Sequence, residues 1–334
     1  MKEKSILITG VAGMIGSRLA DWIIDNGLNY NVIGIDNLLG GYIDNVNDKV
    51  ILYDRDLSKD DIEDIFKTYD IEYVFHLAAY AAEGLSPFMR RFNYMNNIGS
   101  TVNIINNCIT YNIKRLVYTS SMSVYGYGEY KRFDESIKPN PIDPYGISKY
   151  ACEMDIQVAA DQHGLDFCII RPHNVYGIKQ NIWDKYRNVL GIWIRKILNN
   201  EKITIFGDGL QRRSFTFVDD IVPYIWKCAV SDNAKNEIFN LGSLQEITIF
   251  DAAKMLCDIT NIGYDNIEFL EARHEVKNAV PNGTKSVKLL DYKDKTNLRE
   301  GLTKMVKWAK MQPNREVKKW ENYEINKGIY EFWK

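Results

Sequence analysis

The sequence has little with which to build a metal centre or a disulfide framework. Four histidines occur in 334 residues, none in HxH or HExxH spacing, which argues against a metal site. The five cysteines (108, 152, 168, 228 and 257) form no CxxC pair. Four of them sit in apolar stretches and read as buried free thiols of a reducing cytosol. Charge of either sign is scarcely in excess, with 42 basic against 44 acidic residues and a formal net charge of -2. That balance gives no polyanion-binding footprint and argues against nucleic acid as a partner. No apolar run approaches the length of a membrane span, and residues 1–10 lead directly into a strand. What remains is the profile of a soluble globular protein, 46% hydrophobic and 26% charged. The length is enough for one large or two interlocked domains.

The first 175 residues alternate short apolar runs with longer helical patterns. Strands are expected at 5–9, 30–35, 50–53, 73–77, 115–120 and 167–171, several of them apolar at nearly every position. That is the pattern of a parallel sheet buried on both faces. Helices are expected near 14–26, 59–69, 93–111 and 145–163. The fold class that follows is α/β, a doubly wound parallel Rossmann sheet with right-handed crossovers. After Gly177 the pattern turns irregular, with a helix at 217–230 and a strand at 237–241 that rejoin the first domain. The expected division is therefore a dinucleotide-binding domain over 1–175 joined by about 215–243. A smaller interleaved lobe takes 176–214 and 244–334.

Gly10, Gly13 and Gly16 follow the first strand directly and open a helix, with Met14 and Ile15 in its first turn. A tight turn needs glycine, a pyrophosphate needs a surface free of Cβ atoms, and the helix N-terminus supplies amides and a favourable dipole. Asp36 ends the second strand, 20 residues after Gly16, where a carboxylate accepts from both adenosine ribose hydroxyls and repels a 2′-phosphate. NAD is thereby favoured over NADP; the competing reading is a turn residue before Asn37. Asp56-Leu57 after the third strand suits the adenine end, or is a solvated loop aspartate with its neighbour.

Tyr145 and Lys149 stand four apart in a helix starting near Pro144, so a phenol and an ammonium share one face. A cation against the phenol favours the phenolate, which can take a proton from a sugar hydroxyl. By itself the spacing also fits a solvated helix face.

Together these motifs resemble the extended short-chain dehydrogenase/reductase family, and within it the NAD-dependent nucleotide-sugar epimerases and dehydratases. The resemblance runs through Gly10/Gly13/Gly16, Asp36, Asp56-Leu57, His76-Leu77-Ala78-Ala79, Thr119-Ser120-Ser121 and Tyr145/Lys149. It continues through Arg171-Pro172-His173-Asn174-Val175-Tyr176-Gly177, Phe206-Gly207-Asp208-Gly209 and Arg213-Ser214-Phe215-Thr216-Phe217-Val218-Asp219-Asp220, and ends in an amphipathic helix over 297–309. It implies Tyr145 as general base and acid, with Lys149 lowering its pKa and binding the nicotinamide ribose. Ser121 would hydrogen-bond the reacting sugar oxygen, and Ser123 would place a second hydroxyl in the pocket beside Met122. Asn37, Leu77, Ala78, Ala79, Tyr80, Asn97 and Pro172 join the cofactor set, Asn97 as a brace. Asn174 and Arg213 would hold the substrate diphosphate, a task suited to a guanidinium fork. Arg273 is either a second phosphate contact or an exposed charge. A homodimer through the helices at 97–111 and 145–163 is also implied.

The residues after Ser121 separate the reactions of this family. The dehydratases carry an Asp-Glu pair there, and 3,5-epimerases of GDP-mannose have a cysteine where Ser123 stands. Decarboxylases of nucleotide-sugar uronic acids usually carry an acid in this segment. Met122-Ser123 offers none of these, whereas C4 epimerisation needs only hydride transfer and one tyrosine-centred proton transfer. A UDP-hexose or UDP-N-acetylhexosamine is the leading substrate. An epimerase (3,5-type) or 4-keto reductase on a GDP-, CDP- or dTDP-linked sugar is the alternative, and a non-catalytic NAD-binding protein is the remote one. Glu83 either contacts the sugar, serves a second proton transfer, or is an exposed loop carboxylate. Residues 178–187 are expected to form a substrate-side loop.

Overall fold

Apolar strands of four to seven residues separated by helices build one parallel sheet, and its crossovers set the site. The computed structural model describes residues 3–127, 132–272, 276–317 and 319–330. In chain order the elements of the first half are β1 (Lys4–Thr9), α1 (Met14–Asp25), β2 (Asn31–Asp36), β3 (Ile51–Asp54), α2 (Glu63–Thr68), β4 (Asp70–His76), α3 (Arg90–Tyr94), α4 (Ser100–Thr110), β5 (Arg115–Thr119), α5 (Pro144–His163) and β6 (Phe167–Pro172). The second half adds β7 (Val175–Tyr176), α6 (Val189–Leu198), β8 (Ile203–Phe206), β9 (Arg212–Arg213), β10 (Thr216–Phe217), α7 (Val218–Val230) and β11 (Glu237–Leu241). It ends with β12 (Ile247–Thr248), α8 (Ile249–Thr260), β13 (Ile267–Leu270), β14 (Asn278–Ala279), α9 (Thr284–Leu290) and α10 (Leu298–Ala309).

The main sheet has the order β11-β6-β5-β4-β1-β2-β3, and every pairing in it is parallel. Strand order reverses between β1 and β4, where Thr9 lies beside His76. Crossovers leave that point in opposite directions and open a crevice at the carboxyl ends of the strands. One face of the sheet packs on α1 and α7 through Ile6, Ile8, Leu19, Ile23, Ile221 and Ile225. The other packs on α2, α4 and α5 through Leu7, Ile33, Ile65, Ile104 and Ile156. A separate core of Tyr176, Trp193, Phe215, Phe217, Leu256 and Leu302 holds the smaller lobe. Leu290 and Tyr292, late in the chain, return to the sheet face that carries α1.

Two helices differ from expectation for local reasons. The helix expected over 59–69 begins only at Glu63. Upstream, Asp56 accepts from the Ser58 amide (3.0 Å) and Asp60 accepts from the Asp56 amide (2.6 Å), so side chains take the amides a helix would use. The helix expected over 93–111 begins at Arg90 and contains a π-helical turn, Met95–Gly99, before α4. Such insertions re-aim side chains at functional positions. This one holds Asn97 at 2% exposure facing the β4 loop.

Candidate active site

The glycine turn is sterically obligatory. Gly10 has φ +72, and a Cβ there would lie 2.9 Å from Ala78 Cα; a Cβ on Gly16 would overlap the Gly10 carbonyl. L-residues pay for positive φ and have no room here. Among the described residues no side chain caps the N-terminus of α1, so the Met14, Ile15 and Gly16 amides border the crevice as donors, the arrangement that receives a diphosphate. Asp36 accepts from the amides of Ala12 (2.9 Å) and Leu38 (2.8 Å). Burial raises its pKa against those two amides. Its fixed carboxylate at the tip of β2 fits a ribose diol and disfavours a 2′-phosphate. Asp56 differs. Its carboxylate is occupied by the Ser58 amide and hydroxyl and by Lys59 Nζ at 2.7 Å, so it shapes its own turn while still bordering the cavity.

The floor of the crevice is a hydrogen-bond chain. Thr9 Oγ1 accepts from the Leu77 and Ala78 amides at 3.1 Å each and so turns its proton to His76 Nδ1, 2.7 Å away. His76 Nε2 then donates to Thr101 Oγ1 (3.0 Å), which donates to the Asn97 carbonyl (2.6 Å). Full burial pushes His76 down to about 3 and the positive Lys149 pushes the same way, so the ring stays neutral.

Tyr145 enters this crevice on the first turn of α5. Asp143 caps the helix by accepting from the Gly146 amide (2.9 Å), and Pro144 fills the first turn. A Cβ on Gly146 would lie 2.7 Å from the Ser123 carbonyl oxygen, so glycine is what lets α5 close on the 122–125 turn. Tyr145 is 8% exposed and Lys149 2%. Lys149 Nζ donates to the Thr119 carbonyl (2.8 Å) and lies 6.0 Å from the Tyr145 ring centre. Ser121 Oγ accepts from the amide (3.2 Å) and hydroxyl (2.8 Å) of Ser123, which leaves its own O–H to donate toward Tyr145 or a ligand.

The electrostatics depart from one expectation. Desolvation dominates Tyr145 and drives its pKa up; Ser121 and Arg187 oppose, while Glu83 and Asp143 reinforce the rise. Lys149 is not among the leading influences on that rise, and burial pushes its own pKa down to about 8. The chain alone therefore keeps this tyrosine a neutral phenol.

These groups line one cavity of about 770 Å³ running from Gly10, Gly13, Met14, Ile15, Gly16, Asp36, Asn37, Asp56 and Leu57 to Thr119, Ser121, Met122, Tyr145 and Lys149. Leu77, Ala78, Ala79, Tyr80, Glu83, Pro172, Asn174 and Arg213 border it as well. Asn174, in positive φ, donates to the Ser214 carbonyl at 3.1 Å. Arg213 Nη1 donates to the carbonyls of Arg212 (2.9 Å) and Lys277 (3.1 Å). Two expected residues stand behind the wall instead. Ser123 acts on Ser121, and Asn97 accepts from the Tyr80 amide (3.0 Å) and donates to Ser148 Oγ (3.2 Å). Arg273 lies outside the described residues.

Three features carried no sequence motif. Arg187 places its guanidinium 4.8 Å from the Tyr80 ring centre, donates from Nε to Asp184 (3.0 Å), and reaches so close to Gly40 that a Cβ there would lie 2.5 Å from Nη2. Asp143 brings a second carboxylate beside Glu83. The C-terminal segment folds back over the β4 loop: Trp320 packs on Phe92 at 4.6 Å and Tyr80 at 5.4 Å, and Tyr323 pairs its hydroxyl with Tyr186 at 3.0 Å.

The family model described as NAD dependent epimerase/dehydratase family matches residues 6–242. A putative UDP-glucose 4-epimerase of Methanocaldococcus jannaschii is 34% identical over 310 residues, covering 91% of this chain and 98% of that protein. Among solved structures, a UDP-glucose 4-epimerase from Thermotoga maritima with UDP-glucose has TM-score 0.87 and 32% identity, covering 92% of this chain and 98% of that one. A UDP-N-acetylglucosamine 4-epimerase from Methanobrevibacter ruminantium in complex with UDP-N-acetylmuramic acid has TM-score 0.85 and 31% identity, covering 92% and 99%.

Proposed function

The chain belongs to the NAD dependent epimerase/dehydratase family, and on that footing we propose that it inverts C4 of a UDP-hexose or UDP-N-acetylhexosamine. NAD, held by the Gly10–Gly16 turn and Asp36, supplies a two-electron acceptor and donor for the sugar carbon. Tyr145 Oη takes the O4 proton as the 4-keto sugar forms and returns it when the alcohol is restored on the other face. Taking the O4 proton needs the phenolate, whereas burial keeps the ligand-free site's phenol neutral; the positive charge of oxidised NAD would favour loss of that proton, and the phenol formed by taking the O4 proton is the form that gives it back. Ser121, whose lone pairs are engaged by Ser123, turns its hydroxyl to the reacting oxygen. Lys149, anchored on the Thr119 carbonyl, presents its remaining protons to a ribose. Asn174 and Arg213 hold the diphosphate while the sugar turns, so binding remote from C4 keeps the substrate in place.

The observation that carries this reading is the wall behind Ser121. Met122 and Ser123 offer a thioether and an engaged hydroxyl, and no carboxyl or thiol stands in that segment. The relatives named as UDP-sugar 4-epimerases support the same reaction. Tyr145→Phe is the test. Turnover of the nucleotide sugar should fall by about 10²–10⁴ while bound NAD is retained; unchanged turnover would sink the mechanism.

Two copies of the chain are expected to pair through α4 and α5. Met95 of the preceding π turn, Val102 of α4, and Ile147, Met154 and Val158 of α5 are exposed apolar side chains, at seven- and four-residue spacings that give one stripe on each side of the pair. The five buried, unpaired cysteines suit a reducing cytoplasm. Among the described residues, no helix is long and apolar enough to cross a membrane.

A further inference from the structure

Arg195 is a cation that the reaction above does not use. It sits on α6 in the stripe Asn188, Ile192, Arg195, all three lining the cavity. Seven residues of helix place it about 10 Å along the axis from Asn188. It is 8% exposed, yet its Nε has no hydrogen-bond partner among the described residues. Two other guanidiniums on this wall have partners: Arg187 pairs with Asp184 at 3.0 Å, and Arg213 Nη1 donates to the Arg212 and Lys277 carbonyls. The carboxylates whose fields reach Arg195 are Glu201 and Asp184. Asp184 is already held by Arg187 and the Tyr186 amide, and Glu201 accepts from Asn199. Its charged neighbours on the cavity wall are Lys185 and Lys196, the latter donating to Thr204 Oγ1 at 3.3 Å. Burial lowers the pKa of all three, and the carboxylates that reach Arg195 and Lys196 offset it only in part.

A buried guanidinium N–H without a partner is costly, and replacing such a group by an apolar side chain of similar size is often neutral or stabilising. We propose that Arg195, flanked by Lys185 and Lys196, is an anion subsite of the cavity that takes carboxylate or phosphate oxygens of the nucleotide sugar. The inference rests on the nucleotide-sugar reading for its ligand, though not for its chemistry. The planar fork of arginine suits two oxygens of one such group.

The test compares wild type, Arg195→Leu and Arg195→Lys as NAD-loaded proteins, by calorimetric binding of UDP, UDP-glucose and UDP-glucuronate and by thermal shift with inorganic pyrophosphate. In Arg195→Leu the ligand-free melting midpoint should hold or rise, while affinity falls at least tenfold; Arg195→Lys should fall between, and alone decides the matter if the leucine variant does not fold. An equal loss for all three nucleotides assigns the phosphates as the source of the oxygens. A loss confined to UDP-glucuronate assigns a carboxylate on the sugar, and with it an acidic substrate. If wild type binds none of the three but pyrophosphate stabilises it through Arg195, the subsite stands and the nucleotide-sugar reading falls. No Arg195-dependent effect with any of the four probes overturns the proposal.

Discussion

Burial works against ionisation at both residues of the Tyr145–Lys149 pair, and the ligand-free protein carries the cost. Lys149 is held at about 8 against an ordinary 10.5. Between those values the unfolded chain keeps a proton that the folded one has lost, so stability rises as pH goes from about 8 to 10.5 and the full cost is present below 8. Lys149→Met should therefore stabilise the empty protein by about 3 kcal/mol at pH 7, with the gain shrinking toward zero near pH 10.5. Denaturant melts at the two pH values check this. No gain at pH 7 would show that Lys149 is not paying for burial. The identity of this pair was legible from spacing and motif, because helix geometry converts i, i+4 directly into a shared face. Its charge state was not, since desolvation depends on what packs around the phenol, including Glu83, Asp143 and Arg187 from three other segments.

Elements are joined beneath the site by a buried polar network. Glu153 of α5 pairs with Arg171 of β6 at 2.6 Å, both nearly inaccessible, and also receives Ser120 Oγ from the end of β5. Arg171 reaches Tyr125 (2.9 Å), which donates to Asn240 of β11 (2.9 Å). Removing one partner of such a pair strands the other: Glu153→Ala should lower stability by roughly 3–5 kcal/mol, read from chemical denaturation, and should loosen α5 enough to lower activity. A loss below about 1 kcal/mol, the range of exposed pairs, would contradict this. The sequence showed Arg171 only as part of a motif, and Glu153 as an ordinary helix position. Long-range pairing of this kind has no local signal. The same holds for the π turn at Met95–Gly99 and for the Asp143 cap of α5, whereas the apolar strands and the start of α5 near Pro144 follow from local chemistry and were readable.

The whole molecule depends on neutral histidines. His76 and His173 are each pushed by burial from 6.5 to about 3. Their contribution is fully present above pH 6.5 and is lost as pH falls from there toward 3, because the unfolded chain gains protons that the folded one refuses. Stability should drop by roughly 2–3 kcal/mol per pH unit in that range, and His76→Gln should flatten the slope in denaturant melts between pH 6 and 4. An unaltered slope would contradict the assignment. The exposed stripe on α5 gives a second molecular prediction: Met154→Glu with Val158→Glu should yield a monomer by light scattering, and a variant that still sediments as a dimer would remove that interface.

At this scale one tyrosine-centred site is proposed to invert C4 with no net oxidation. It is tested most directly with a UDP-hexose deuterated at C4, followed by NMR in ordinary water. The expected product is inverted at C4 alone and keeps its deuterium, with no NADH consumed. Inversion at C2, C3 or C5, or loss of the C4 deuterium to water, would contradict it.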